Sequence, residues 1–206
     1  MSPLTSVDPG PVTAESAADR PRRGPKGERT RRRILLAARK EFGRYGYERA
    51  TIRGIALAAE VDKSSVIQYF GTKQNLFRES VYWHIPIDEL SDPDPVRSAE
   101  NYLHGMLRSW AADPDSPMAV LLRASMTSEE AAELTREHLT TEAVDRIAAQ
   151  LDGPDARLRA SVFASVLMGI AVQRYLLRMP DLAEVPLEDV ERVAMPLLRG
   201  LVAPDR

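Results

Sequence analysis

From residue 28 to residue 203 the apolar side chains return at helical intervals, and no run alternates as a strand does. Ile34, Leu35, Ala38 and Phe42 line one face of a segment predicted to be helical over 28–46. Arg31, Arg32, Arg33, Arg39 and Lys40 occupy the rest of its surface, and Gly43 and Gly46 close it. Thr51 is a good N-cap for a short second helix carrying Ile52, Ile55, Ala56 and Ala59. Asp62 can cap a third over Lys63 to Phe70, which Gly71 ends; Thr72 caps a fourth, running through Leu76, Phe77 and Val81 toward Pro86. The stretch Pro86 to Pro95, rich in proline and acid, reads as a hinge-like connector. Further helices are expected near 95–111, 116–126, 128–151, 154–179 and 187–203, punctuated by Pro114, Pro117, Gly153-Pro154 and Pro180, with a kink at Pro196. The pattern is all-α, with about nine helices and no fixed-period repeat.

Charge divides this pattern. Residues 1–80 hold 16 Lys and Arg against 9 Asp and Glu, whereas residues 81–206 hold 12 against 21. Lys26, Lys40, Lys63 and Lys73 all lie in the first part. The net charge of −2 therefore conceals a half suited to a polyanion and a half that would be repelled by one. Residues 1–27 are rich in Pro, Ser, Ala and Gly and read as a disordered tail. Its end carries Arg20, Arg22, Arg23 and Lys26, a basic arm that either reaches DNA or serves only solubility.

Residues 51–77 are the informative segment. Two short helices joined by a tight turn suit DNA: the first crosses the backbone and the second enters the major groove. The second helix must then turn short polar groups outward and apolar ones inward. Lys63, Ser64, Ser65, Gln68 and Tyr69 fit the outer role, and Val66 and Phe70 the inner one. Helix N-termini at Thr51 and Thr72 offer backbone amides to phosphates, and Lys73 adds a cation at such a site.

The run RRRILLAARKEFGRYGYERATIRGIALAAEVDKSSVIQYFGTKQNLF resembles the DNA-binding domain of TetR-type transcriptional regulators. The resemblance covers residues 28 to about 88 and rests on Thr51, the Ile55-Ala56 pair, Val61, Tyr69-Phe70 and Lys73 at the family's spacing. Three positions depart from the usual pattern: Glu60 where glycine is common, Asp62 for serine as cap, and Ile67 where a tyrosine often contacts phosphate. The remainder, from LLRASMTSEEAAEL to GIAVQRYLLRMPDL, resembles the C-terminal domain of an actinobacterial-looking branch of that family. The resemblance implies a tail (1–27), a DNA-binding domain (28–88, motif 51–70) and an effector-binding and dimerisation domain (89–206). It implies a cytoplasmic repressor that binds a pseudo-palindromic operator as a homodimer and is released by a small apolar ligand. The acidic balance of residues 81–206 disfavours an anionic ligand and points to a neutral or cationic one. Control without any small-molecule effector is one alternative, and an all-α enzyme or scaffold, from a different class, is another.

In that family the last two long helices pair with their copies. Here the faces would be Val162, Phe163, Val166, Leu167, Ile170 and Ala171 on one helix, and Val190, Val193, Ala194, Leu197, Leu198 and Leu201 on the other. Part of each must serve the protomer's own core. Met106, Trp110, Met126 and Met168 are candidates to line a ligand pocket, because methionine adapts to varied shapes, though ordinary core filling would use the same residues. Acid-rich Ser128–Glu137 reads as a helix start with Ser128 as cap.

The absence of cysteine excludes disulfides, thiolate zinc sites and cysteine nucleophiles. His84, His104 and His138 have no metal-ligand spacing and read as isolated surface residues; no phosphate loop or nucleophile motif is present. No cofactor and no enzymatic activity are expected. Neither a signal peptide nor a run near the roughly 20 apolar residues of a membrane helix is evident, so no membrane partner is expected.

Overall fold

The computed structural model describes residues 24–113 and 115–203. Among these, helices α1 (Pro25–Arg49), α2 (Ile52–Ala58), α3 (Lys63–Phe70) and α4 (Lys73–Ser80) form a head. A body follows: α5 (Ile87–Leu90), α6 (Pro95–Ala112), α7 (Pro117–Ser125), α8 (Glu129–Leu139), α9 (Asp145–Ala148), α10 (Ala156–Ala171), α11 (Pro180–Ala183) and α12 (Leu187–Val202). A π-helical turn at Thr140–Val144 joins α8 to α9, so the two continue one rod, and another at Val172–Leu176 extends α10. The expected helices are all present, and the described residues contain no strand. The additions are α5 and α11, one turn each.

α1 starts earlier than its apolar pattern suggests. Pro25 takes the first helical turn, where a missing N–H costs nothing, so residues 25–27 and Lys26 belong to the helix rather than to a tail. Arg20, Arg22 and Arg23 lie outside the described residues. Of the two glycines expected to close α1, only Gly46 interrupts it, with a φ of 76° that kinks the helix before its last turn ends at Arg49. Gly43 is helical, and a Cβ there would stand 3.2 Å from Val120 Cγ2 of α7. Its smallness lets the two helices approach.

The head does not close on itself. Ile34, Ala38 and Phe42 of α1, Ile55 and Ala56 of α2, Val66 and Phe70 of α3 and Leu76 and Phe77 of α4 share one buried cluster with Val120, Leu121 and Ala124 of α7. Phe42, Tyr47 and Phe77 stack at its centre with ring centroids 4.8–5.9 Å apart. A second cluster joins α6, α10 and α12 through Leu103, Leu107, Phe163, Val190 and Leu198.

The connector after Pro86 is tied down rather than hinge-like. Ile87 of α5 is buried, Asn101 donates to the Leu90 carbonyl, and Ser91, Tyr102 and Gln150 close a hydrogen-bonded triangle. The proline and acid content hid a single apolar turn. Pro196 sits inside α12, which runs on to Val202. The rod Ala156–Leu176 is apolar enough, and at 21 residues long enough, to cross a membrane by composition, which its scattered polar residues had concealed. Only 17% of its most apolar stretch is buried within the protomer.

The turn between α2 and α3 carries a local conflict, one of two non-glycine residues with positive φ among the described residues, the other being Arg178. Val61 N–H bonds the Ala56 carbonyl and Glu60 N–H the Leu57 carbonyl, a Schellman closure. Glu60 must then take the left-handed conformation, with φ of 51°. Glycine adopts it without a Cβ penalty, which is why glycine suits this turn. Glu60→Gly should therefore stabilise the protein by about 0.5–1 kcal/mol, after the entropic cost of glycine in the unfolded chain. A thermal melt should show a rise of a few degrees; an unchanged or lowered midpoint would contradict the strain assigned to this turn.

Candidate nucleic-acid interface

The head holds α3 as a rigid, one-sided helix. Val66 and Phe70 are buried against α2 and α4, while Gln68 and Ser64 stand on the opposite side. Lys63, Ser64 and Gln68 are exposed, and Ser65 and Tyr69 half-buried. The Tyr69 ring leans on the head core, 6.2 Å from Phe70, which leaves its edge at the surface. Ile67, 47% exposed, joins the outer face and puts an aliphatic group beside Ser64.

Capping fixes the helix starts. Thr51 Oγ1 accepts from Gly54 N–H and Thr72 Oγ1 from Asn75 N–H, each at 3.0 Å. Asp62 holds the cap position of α3, but its carboxylate makes no cap hydrogen bond; its backbone carbonyl accepts from Ser65 and Val66 instead.

Several cations of the basic half, Lys73 among them, are engaged within the head. Lys73 Nζ donates to the Glu48 carbonyl at 3.1 Å and lies 4.6 Å from the Tyr47 ring centroid, so it clamps α4 to the end of α1. Arg31 pairs with Glu79 and covers the Phe70 ring, and Arg33 donates to the Glu60 carbonyl in the turn. Arg53, on the first turn of α2, is exposed, and helical periodicity alone gave no reason to single it out. Together Lys63 and Arg53 present positive charge around a polar ridge, which matches a phosphate-flanked groove.

In the body, three of the four proposed pocket residues converge. Met106, Trp110 and Met168 meet around α6, α7 and the end of α10, with Met118 and Tyr175 beside them. Trp110 is buried and stacks on Tyr175 at 5.9 Å, and the Tyr175 hydroxyl donates to the Leu107 carbonyl. Met126 does not join them: it caps the end of α7 and is 76% exposed. The methionine pattern could not reveal that α7 stops at Ser125, one residue short of Met126. A cavity of about 280 Å³ lies elsewhere, between the end of α4 and α8.

Residues 34–80 match the DNA-binding domain described as bacterial regulatory proteins, tetR family, and residues 97–202 the tetracyclin repressor-like C-terminal domain. The chain belongs to the TetR family. It is 32% identical over 96 residues to the HTH-type transcriptional repressor AcnR of Corynebacterium glutamicum, a span covering 45% of this chain and 46% of that protein. The chain thus spans about half the length of this curated relative. With the dual regulator CecR of Shigella flexneri it shares 36% identity over 58 residues, 28% of this chain and 26% of that one. A TetR-family regulator from Streptomyces coelicolor A3 superposes with a TM-score of 0.57 at 29% identity, covering 88% of this chain and 98% of the other. NalD of Pseudomonas aeruginosa, the secondary repressor of the MexAB-OprM efflux pump, gives 0.69 at 25% identity over 86% and 98%.

This TetR chain has an aromatic seam where head meets body. His138 of α8 lies against Trp83, with ring centroids 4.0 Å apart, and edge-on to Tyr82 at 5.5 Å. It is half-buried rather than an isolated surface histidine. Burial pushes its pKa below the ordinary 6.5, against the opposing pull of Glu142, the Trp83 backbone and Glu137. The folded state then binds the proton more weakly than the unfolded chain. Stability from this site is whole above pH 6.5 and is lost as the pH falls through the folded-state value. His138→Leu should flatten the acid-side fall in melting temperature relative to wild type; parallel curves for the two proteins would refute the assignment.

Proposed function

We propose that the protein is a transcriptional repressor that binds DNA as a homodimer through α3 and is released by a small-molecule effector. The observation that carries the first part is the one-sided presentation of Ser64, Gln68 and Lys63 on a helix fixed by buried Val66 and Phe70. A helix so held fits the major groove, with Gln68 in reach of base edges and Lys63 near phosphate. Thr51 and Thr72 mark the helix starts that approach the backbone, and Lys73 sets the position of the second through its clamp on Glu48. The DNA-binding domain, expected at 28–88 with its motif at 51–70, begins with α1 at Pro25 and gives way to the effector and dimer domain at α5, Ile87–Leu90, rather than at 89. Its place of action is the cytoplasm.

Dimerisation is supported by the split in the last two long helices. Phe163, Ala171, Val190 and Leu198 are buried in the protomer, whereas Leu158, Val162, Val193 and Leu197 are 40–68% exposed. An uncovered apolar ridge on two neighbouring helices suits an isologous contact with its own copy. The two heads would then read half-sites related by dyad symmetry, with centres about 10 bp or a multiple apart.

Gel shifts with fragments flanking the gene test DNA binding directly. Gln68→Ala should narrow the gap between specific and non-specific DNA by about 1–3 kcal/mol, while Lys63→Ala should weaken both and flatten the salt slope by about one unit. Equal loss on every sequence for Gln68→Ala would remove it as a base reader. Leu197→Glu should leave a folded monomer in sedimentation and abolish operator binding. A variant that still sediments as a dimer would place the interface elsewhere.

A further inference from the structure

The cavity between α4 and α8 has an unusual lining. Val81 at the end of α4, Leu121 of α7 and Leu134 of α8 form an apolar floor, each 8% exposed or less. Tyr82 stands at the mouth. Two of its lining residues, His138 and Glu142, each carry a buried polar atom, Nε2 and Oε2, with no hydrogen-bond partner among the described residues. Such atoms are costly unless something satisfies them.

With its proton on Nδ1, the neutral His138 ring carries its lone pair on Nε2 and is an acceptor there. Glu142 Oε2 is a carboxylate oxygen, with His84 Nδ1 3.8 Å and Arg146 Nη2 3.6 Å away, too far for hydrogen bonds. The lining carries two carboxylates, Glu137 and Glu142, against one guanidinium, Arg78, which pairs with Glu137 at 3.5 Å. Two orphan acceptors, excess carboxylate and an apolar floor call for a cationic donor head on an apolar body.

We propose that this cavity, rather than the Met106–Trp110–Met168 cluster, is a binding site for a small amphipathic organic cation, an aryl or alkyl ammonium or amidinium. The head donates to Glu142 Oε2 and His138 Nε2 while the body covers Val81, Leu121 and Leu134. The Met106–Trp110–Met168 region is already filled by the Trp110–Tyr175 stack. The site bridges the last turn of α4, in the head, and α8, in the body, so an occupant that prefers one arrangement of the two shifts the reading helix with it. This deepens the effector part of the reading above and rests on it only for the consequence at DNA.

The test uses the full chain with benzylamine and benzamidine as probes, and benzoate and benzyl alcohol as controls. Calorimetry should show saturable binding of both cations, at least about tenfold tighter than either control. Glu142→Gln should weaken the cations about tenfold or more and leave benzyl alcohol unaffected. The His138 ring nitrogens should shift on titration by NMR. Thr141→Trp, at the exposed rim, should block the cations without disturbing the floor. The inference is overturned if neither cation binds saturably, if benzoate binds as well, or if Glu142→Gln and Thr141→Trp both bind like wild type. Operator binding is measured separately without probe. Cation binding with no operator binding would sink the repressor reading and leave the site standing; operator binding with no cation binding would do the reverse.

Discussion

The apolar stripe of α1 is shielded from water by two different sets of helices. α2, α3 and α4 cover one side of Ile34, Ala38 and Phe42, and Val120, Leu121 and Ala124 of α7 extend the same cluster. Each large side chain so buried stabilises by roughly 1.5–3 kcal/mol, so neither set could withdraw without exposing a core. Gly43 is the point of closest approach, where any side chain would press on Val120. The head therefore has no independent core boundary. Its orientation on the body is set by the same burial that folds it, and the exposed polar ridge of α3 inherits that orientation through Val66 and Phe70.

Charge acts on this frame in two ways that composition cannot distinguish. The basic excess of the first 80 residues includes cations facing solvent, Lys63 and Arg53 among them, and cations consumed in holding the head together. Arg31 bridges α1 to Glu79 of α4 while covering Phe70, and Lys73 ties α4 back to the end of α1. A phosphate-binding cation gains most when its solvent-facing atoms are uncommitted, because a committed one must give up a partner first. The local asymmetry of charge thus marks which half meets a polyanion without marking which residues do.

Much of the fold was legible because a period near 3.6 with Thr, Ser and Gly at the right offsets has few other readings. The caps at Thr51, Thr72 and Ser128 and the break at Gly71 follow from local chemistry alone. What escaped depends on contacts between distant segments. Nothing local separates Gly43, a packing contact, from Gly46, a kink. The single turn of α5 is too short to show a period, and its anchoring needs Tyr102 and Gln150 from elsewhere. The methionines of the body were legible as a type, and Met106 and Met168 did converge with Trp110, but Met126 fell one residue past its helix. His138 looked solitary because its neighbours Tyr82 and Trp83 lie more than fifty residues upstream.

The seam around His138 also shows how a signal can pass through a molecule whose core is shared. α8 reaches the head through Leu134 and Ala131, in the cluster that contains α1 and α4, and reaches the body through the π-helical turn at Thr140–Val144. A π turn shifts the register of the side chains beyond it, so Glu142 faces the end of α4 while Ala143 and Ile147 face the body core. Buried clusters resist continuous deformation, and a packed helix answers a local change by moving as a body or not at all. Tyr82 and Val81 close α4 at one end; Thr72 and Lys73 begin it at the other, just past the end of α3. With only eight residues between those ends, little of any displacement at the seam can be absorbed along the way. The short length of α4 is what makes the distance from the seam to α3 mechanically small.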